Sequence, residues 1–212
     1  MPATDTLAAF LAVSVLITLA PGPDNLMVLG QSLARGRAAG FGIAVGCALG
    51  CFTHTLWAAL GVSAALASSP TVFAALKLAG AGYLCWIGIQ TLLHARGATV
   101  MRNSDATPAA WASQVRRGFI ANAINPKVAL FFLAFLPQFV RAEGGDATAQ
   151  MITLGASFAL QTVFVFGAIA FAAGTLGQAL ARHGRASVWL ERMAGVLFIG
   201  LAARLALDDH TL

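Results

Sequence analysis

Six long apolar stretches, separated by short polar ones, run along the chain at about 6–33, 42–63, 71–93, 118–140, 151–176 and 187–207. A helix rises ~1.5 Å per residue, so about 20 apolar residues cover the ~30 Å of hydrocarbon in a bilayer. The runs are continuous rather than alternating, which points to membrane helices and away from the short alternating strands of a barrel. Two of them are interrupted, the first by PGPDN at 21–25 and the fourth by INPK at 124–127. The pattern predicts an all-α integral membrane protein with six transmembrane helices, the first and fourth broken near the midplane.

Composition agrees with that reading. Of 212 residues 58% are hydrophobic and 10% charged, with a mean hydropathy of +0.79, whereas soluble domains carry about 25% charged residues. A single transmembrane domain over 1–212 is expected, with repeat one at about 1–93, a polar cytoplasmic linker at about 94–117 and repeat two at about 118–212. Residues 1–20 hold no Lys or Arg and do hold Asp5, so this segment reads as a retained span rather than a signal peptide.

Arginines set the orientation. The connections after the first, third and fifth spans carry Arg35, Arg37, Arg96, Arg102, Arg116, Arg117, Arg182 and Arg185, against Arg141 alone on the other side. The positive-inside rule then puts both termini outside, in the periplasm of a bacterial inner membrane. The same basic rim accounts for most of the formal +5 charge, which argues against nucleic acid as a partner. Cys47, Cys51 and Cys85 fall inside spans with no CxxC pair and no companion ligands, and read as small packing residues; neither metal nor cofactor is expected.

The two halves show a faint repeat, KLAG at 77–80 against RMAG at 192–195, at the starts of the third and sixth spans. The first helix of each half carries a proline break with a charge attached. Three helices per half is an odd number, so the second half inserts upside down, the 3+3 inverted repeat common among transporters.

At the breaks, Pro21, Pro23 and Pro126 cannot donate to the carbonyls of Ile17, Leu19 and Asn122, and freed carbonyls are tolerated in a membrane only against protein or a wet cavity. Gly22 and Asn125, each preceding a proline, are pushed out of the α region and suit N-caps of fresh helices. Asp24 lies 11 residues from Arg35 and Lys127 lies 10 from Arg117, which sets both roughly 15 Å from the inner rim. Two half-helix N-termini therefore converge at one level, where they favour an anion. Asp24 and Lys127 cancel, leaving the dipole ends for a carboxylate and Asp24 for an ammonium, as a zwitterionic amino acid requires.

The bland alternative is a pair of proline kinks joined by a structural Asp24–Lys127 ion pair. Unpaired, the two charges would cost about 2.5–3.5 kcal/mol each, so they are expected to be paired or solvated. Asn25 and Asn125 accompany them as binding candidates. Pro21, Gly22, Pro23 and Pro126 are the candidate hinges. His54, a histidine within the second span, is either a proton relay or a structural residue, and Gln161 is a candidate for the path. Gly42, Gly46 and Gly50, spaced by four, suit close helix packing.

Three stretches together, PGPD, RGRAAGF at 35–41 and GFIANAINPKVALFFLAFLPQF at 118–139, resemble the LysE/RhtB family of amino-acid exporters over nearly the whole chain. The resemblance implies a six-helix inner-membrane exporter of amino acids or close derivatives, driven by the proton gradient, with motif positions at Pro21, Gly22, Pro23, Asp24, Asn125, Pro126 and Lys127. Its partners would be an amino-acid substrate, a coupling proton and the bilayer, with a homo-oligomer left open. A passive channel of the same plan is the runner-up. A membrane thiol–disulfide carrier would need cysteines where Asp24 and Lys127 stand, and no nucleophile–base set, cofactor loop or metal cluster suggests an enzyme.

Overall fold

A computed structural model of the protein describes residues 1–68, 70–93, 110–141, 144–173 and 184–207. Among these residues every regular element is helical. The helices are α1 (Thr4–Leu19), α2 (Pro23–Arg35), α3 (Arg37–Ser68), α4 (Pro70–Leu93), α5 (Trp111–Ala123), α6 (Pro126–Ala134), α7 (Ala147–Phe171) and α8 (Gly184–Leu207), with a short 3₁₀ turn at Leu136–Phe139. By length and composition α3 and α7 each suffice to cross a membrane, and two bent pairs, α1 with α2 and α5 with α6, bring the number to four. Most of the expected linker, 94–109, lies outside the described residues, as do Arg96, Arg102 and Arg182.

Both expected breaks are present. α1 and α2 meet at 59°, and α5 meets the segment Pro126–Phe139 at 56°. Gly22 caps α2 in an extended conformation with Pro23 in the first turn. Asn125 caps α6, its side-chain oxygen accepting from the Lys127 amide at 3.0 Å, so each proline stands where no intrahelical N–H is required. The turn from α2 into α3 falls on Gly36, at φ +88°, a left-handed conformation that only glycine adopts freely.

One boundary differs from expectation. α5 begins at Trp111, inside the stretch read as linker. Gln114, Gly118 and Asn122 recur every four residues on its buried face while Arg116 and Arg117 are exposed. An amphipathic turn with two arginines lowers the local hydropathy, so the apolar run starts only at 118 although the helix starts a turn and more before it.

α3 is the central element, packed against α2, α5 and α7, while α4 packs chiefly against α8. The Gly42/Gly46/Gly50 stripe does what its spacing suggests. A Cβ on Gly46 would collide with the backbone of Val115, Gly118 and Phe119, and one on Gly50 would lie 2.7 Å from the Asn122 side chain. Backbone contact of this kind replaces the hydrophobic drive that lipid does not supply. Gly88 and Gly195 make a reciprocal approach between α4 and α8. Cys47 and Cys51 are fully buried free thiols in the packing, as expected of small residues.

The outside of the bundle is apolar. Trp57, Leu60, Phe164, Phe171 and Trp189 are each at least 60% exposed, whereas Asp24, Asn122, Asn125 and Gln161 are buried. Apolar surface around a polar interior is the arrangement that lipid stabilises.

The two ends of the bundle differ. At one end Gly42, just past the α2–α3 turn, meets Trp111 and Gln114 at the start of α5, and the Arg37 guanidinium sits 5.9 Å over the ring of Phe171 at the end of α7. At the other end the Met1 ammonium donates to the Gly144 carbonyl at 2.7 Å, and Asp5 pairs with Arg141 at 3.6 Å.

Candidate functional site

Breaking a helix frees backbone carbonyls, and here the freed carbonyls organise the site. Thr18 and Ala20 close α1, and both carbonyls accept from side chains. Asn25 Nδ2 donates to Thr18 at 2.7 Å, and Lys127 Nζ reaches across from the other break to donate to Ala20 at 2.8 Å. On the second break Pro126 cannot serve the Asn122 carbonyl, and His54 Nε2 of α3 lies 2.8 Å from it. A carbonyl only accepts, so Nε2 carries the hydrogen.

Asn122 links back to the first break. Its Nδ2 donates to Asp24 Oδ2 at 2.7 Å, and Asp24, in the first turn of α2, is only 4% exposed. The two breaks are thus cross-braced in both senses, Asn122 to Asp24 and Lys127 to Ala20. Among the described residues Asp24 Oδ1 and Asn122 Oδ1 are buried without a hydrogen-bond partner. Asp24 and Lys127 form no ion pair with each other within 4.0 Å, so the simple structural pairing does not describe them. The Lys127 ammonium instead lies 5.3 Å from the centroid of the Phe198 ring, a favourable cation–π contact.

A cavity of about 20 Å³ lies between the breaks, room for about one water molecule. Asp24, Asn25, Asn125 and Lys127 line it, joined by Asn122 and Thr18; the remaining wall includes Ile17, Val128, Phe158 and Phe166. Gly22 also faces it, and a Cβ there would come within 3.2 Å of Lys127 Nζ. His54 and Gln161 stand one bond further out. His54 acts on the carbonyl of Asn122, while Gln161 donates to the Thr18 hydroxyl at 2.8 Å and to that of Thr162 at 3.1 Å.

Sequence reasoning noticed Asn122 only for its backbone. Its side chain is the direct link between the breaks, and the available signal was an asparagine one turn before a proline inside an apolar run.

Residues 15–209 match the family described as LysE type translocator. The chain belongs to that family. A membrane protein of Pseudomonas aeruginosa is 34% identical to this LysE-type chain over 199 residues, covering 91% of it and 90% of the relative. Proteins named leucine efflux protein are 28% identical in Salmonella typhimurium, over 93% of this chain and 92% of theirs, and 26% identical in Enterobacter sp., over 90% of each. No solved structure matches the chain. As a translocator it is a membrane-embedded transporter and not an enzyme.

Proposed function

We propose that the protein exports amino acids with neutral, apolar side chains from the cytoplasm across the bacterial inner membrane, by alternating access coupled to proton entry. The observation that carries this reading is that Asp24 and Lys127 line one small cavity yet are held by neutral partners rather than by each other. A carboxylate and an ammonium kept apart, beside two half-helix N-termini, match the two charges of a zwitterion. The rest of the lining is largely apolar, in keeping with leucine, the cargo in the names of two relatives.

Six spans in a 3+3 inverted repeat, with Pro21, Gly22, Pro23 and Pro126 as hinges, complete the proposal. The N-terminus lies beside Arg141 and Gly144 at one end of the bundle, which suits an N-terminus and a fourth-to-fifth connection on the same, periplasmic side. In this reading the substrate carboxylate takes Lys127, its ammonium takes Asp24, and an entering proton resets Asp24.

A cavity that admits one water is not an open pore, and this favours a carrier over a channel. Liposomes holding the purified protein and labelled leucine provide the test. Efflux should saturate with leucine and quicken when the outside is acidified. Asp24→Asn should remove the response to the gradient, and Lys127→Met should raise the half-saturating leucine concentration about tenfold or more, the loss expected for one charged hydrogen bond. Efflux that is linear in leucine and indifferent to the gradient, or two variants that behave as the parent, would refute the proposal.

A further inference from the structure

Six buried side-chain atoms have no hydrogen-bond partner among the described residues, and five of them lie on α2 and α5: Asp24 Oδ1, Gln31 Oε1, Asn122 Oδ1 and both amide atoms of Gln114. Buried polar groups are almost always satisfied, and each exception costs about 1–3 kcal/mol. Their clustering on two helices therefore needs an explanation.

All five lie on the two helices that the Asn122–Asp24 bond joins. Asp24 and Gln31 are two turns apart on α2, and Gln114, Gly118 and Asn122 follow one another at four-residue steps on α5. The Asn122–Asp24 bond fixes the register. From that bond α2 runs towards the arginine-rich end while α5 arrives from it, as the contact of Gly42 with Gln114 confirms. Gln31 and Gln114 thus lie at about the same height along the bundle, roughly 11 Å from Asp24 at ~1.5 Å per residue, with Gln114 against Gly42 of α3. Gln114 is 0% exposed, and neither atom of its amide is bonded.

The opposite side of the cavity is closed differently. Phe10, Phe131, Phe132, Phe135, Phe139 and Phe158 pack there with ring centroids 4.9–6.4 Å apart, and beyond Phe135 and Phe139 lies a cavity of about 150 Å³ lined by Asp5, Thr6, Gln138, Arg141 and Arg204. That closure is made mainly of stacked rings, whereas the other leaves the buried amides of Gln31 and Gln114 incompletely bonded among the described residues.

We propose that the seam between α2 and α5 is the cytoplasmic entrance to the central cavity, and that Gln31 and Gln114 line it, hydrogen-bonding the polar cargo and its water when the helices part. The inference rests on the transport reading above. It names the inner route and its residues.

A charged, membrane-impermeant thiol reagent tests it. In everted vesicles, Gln114→Cys should be labelled well above the parent protein, and labelling should stop leucine movement; reagent confined to the periplasmic face should not reach it. Gln114→Leu should slow leucine efflux about tenfold, the equivalent of ~1.4 kcal/mol, while leucine still raises the melting temperature of the purified protein and Gln114→Asn restores the rate. Gln31→Leu, on the other wall, gives the same reading should Gln114→Leu fail to insert. A thiol at 114 that stays unlabelled from the cytoplasmic face of a transporting protein, or leucine variants that run at the parent rate, would overturn the assignment. A parent protein that moves no leucine would sink the transport reading, while labelling would still decide whether the seam opens.

Discussion

Asn122 joins two helices by serving both ends of itself. Its amide donates to Asp24, and its carbonyl accepts from His54. His54 therefore has a structural duty that its position in an apolar span does not reveal, as a second donor to a carbonyl that also accepts from the Asn125 amide at 2.8 Å. Replacing His54 with Ala removes one of that carbonyl's two donors and should lower stability by about 1 kcal/mol, the net worth of one hydrogen bond. Gln, whose Nε2 sits where the ring nitrogen does, should recover most of the loss and retain gradient-driven efflux. Melting curves in detergent together with transport rates check this; a Gln variant that is stable yet blind to the pH gradient would make the ring a proton relay instead. At this scale the sequence displayed prolines, caps and charges, because these act on their own backbone. Partners across the bundle, such as Lys127 to Ala20, depend on packing that no local pattern encodes.

Among the helices, glycine positions carry the tightest contacts. Gly46→Ala drives a methyl into the backbone of α5 near Val115 and Gly118, whereas Gly82 has nothing within 4 Å of where its Cβ would be. We expect Gly46→Ala to cut the yield of folded protein and lower its melting temperature, a cost of about 2 kcal/mol or more from overpacking. Gly82→Ala should be neutral or stabilising by up to about 1 kcal/mol, since alanine is the better helix former. Thermal unfolding of the pair reads out both signs. The same stripe shows how the fold was legible: long apolar runs marked the helices, and the period of four at Gly42, Gly46 and Gly50 marked a close contact. The start of α5 was hidden because its first turns are amphipathic and owe their place to packing on α3 rather than to their own hydropathy.

Taken as a whole, the molecule has an end that carries Arg37 and an end where the N-terminus meets Arg141 and Gly144. A cysteine replacing the exposed Ala3 and one replacing the exposed Ala149 should react with an impermeant reagent from one face of the membrane, and one at the exposed Ala38 only from the other. Reaction of all three from a single face would contradict the proposed insertion. The cross-braced breaks carry a further consequence for the living cell. When empty, this protein seals itself with the same carboxylate and ammonium that would grip its cargo, so each arriving molecule must first displace internal rivals. Two such bonds forgone, at roughly 1 kcal/mol each, raise the half-saturating concentration about thirtyfold. Under the proposed function the protein would then act as an overflow valve, idle while a metabolite is scarce and open once it accumulates to excess.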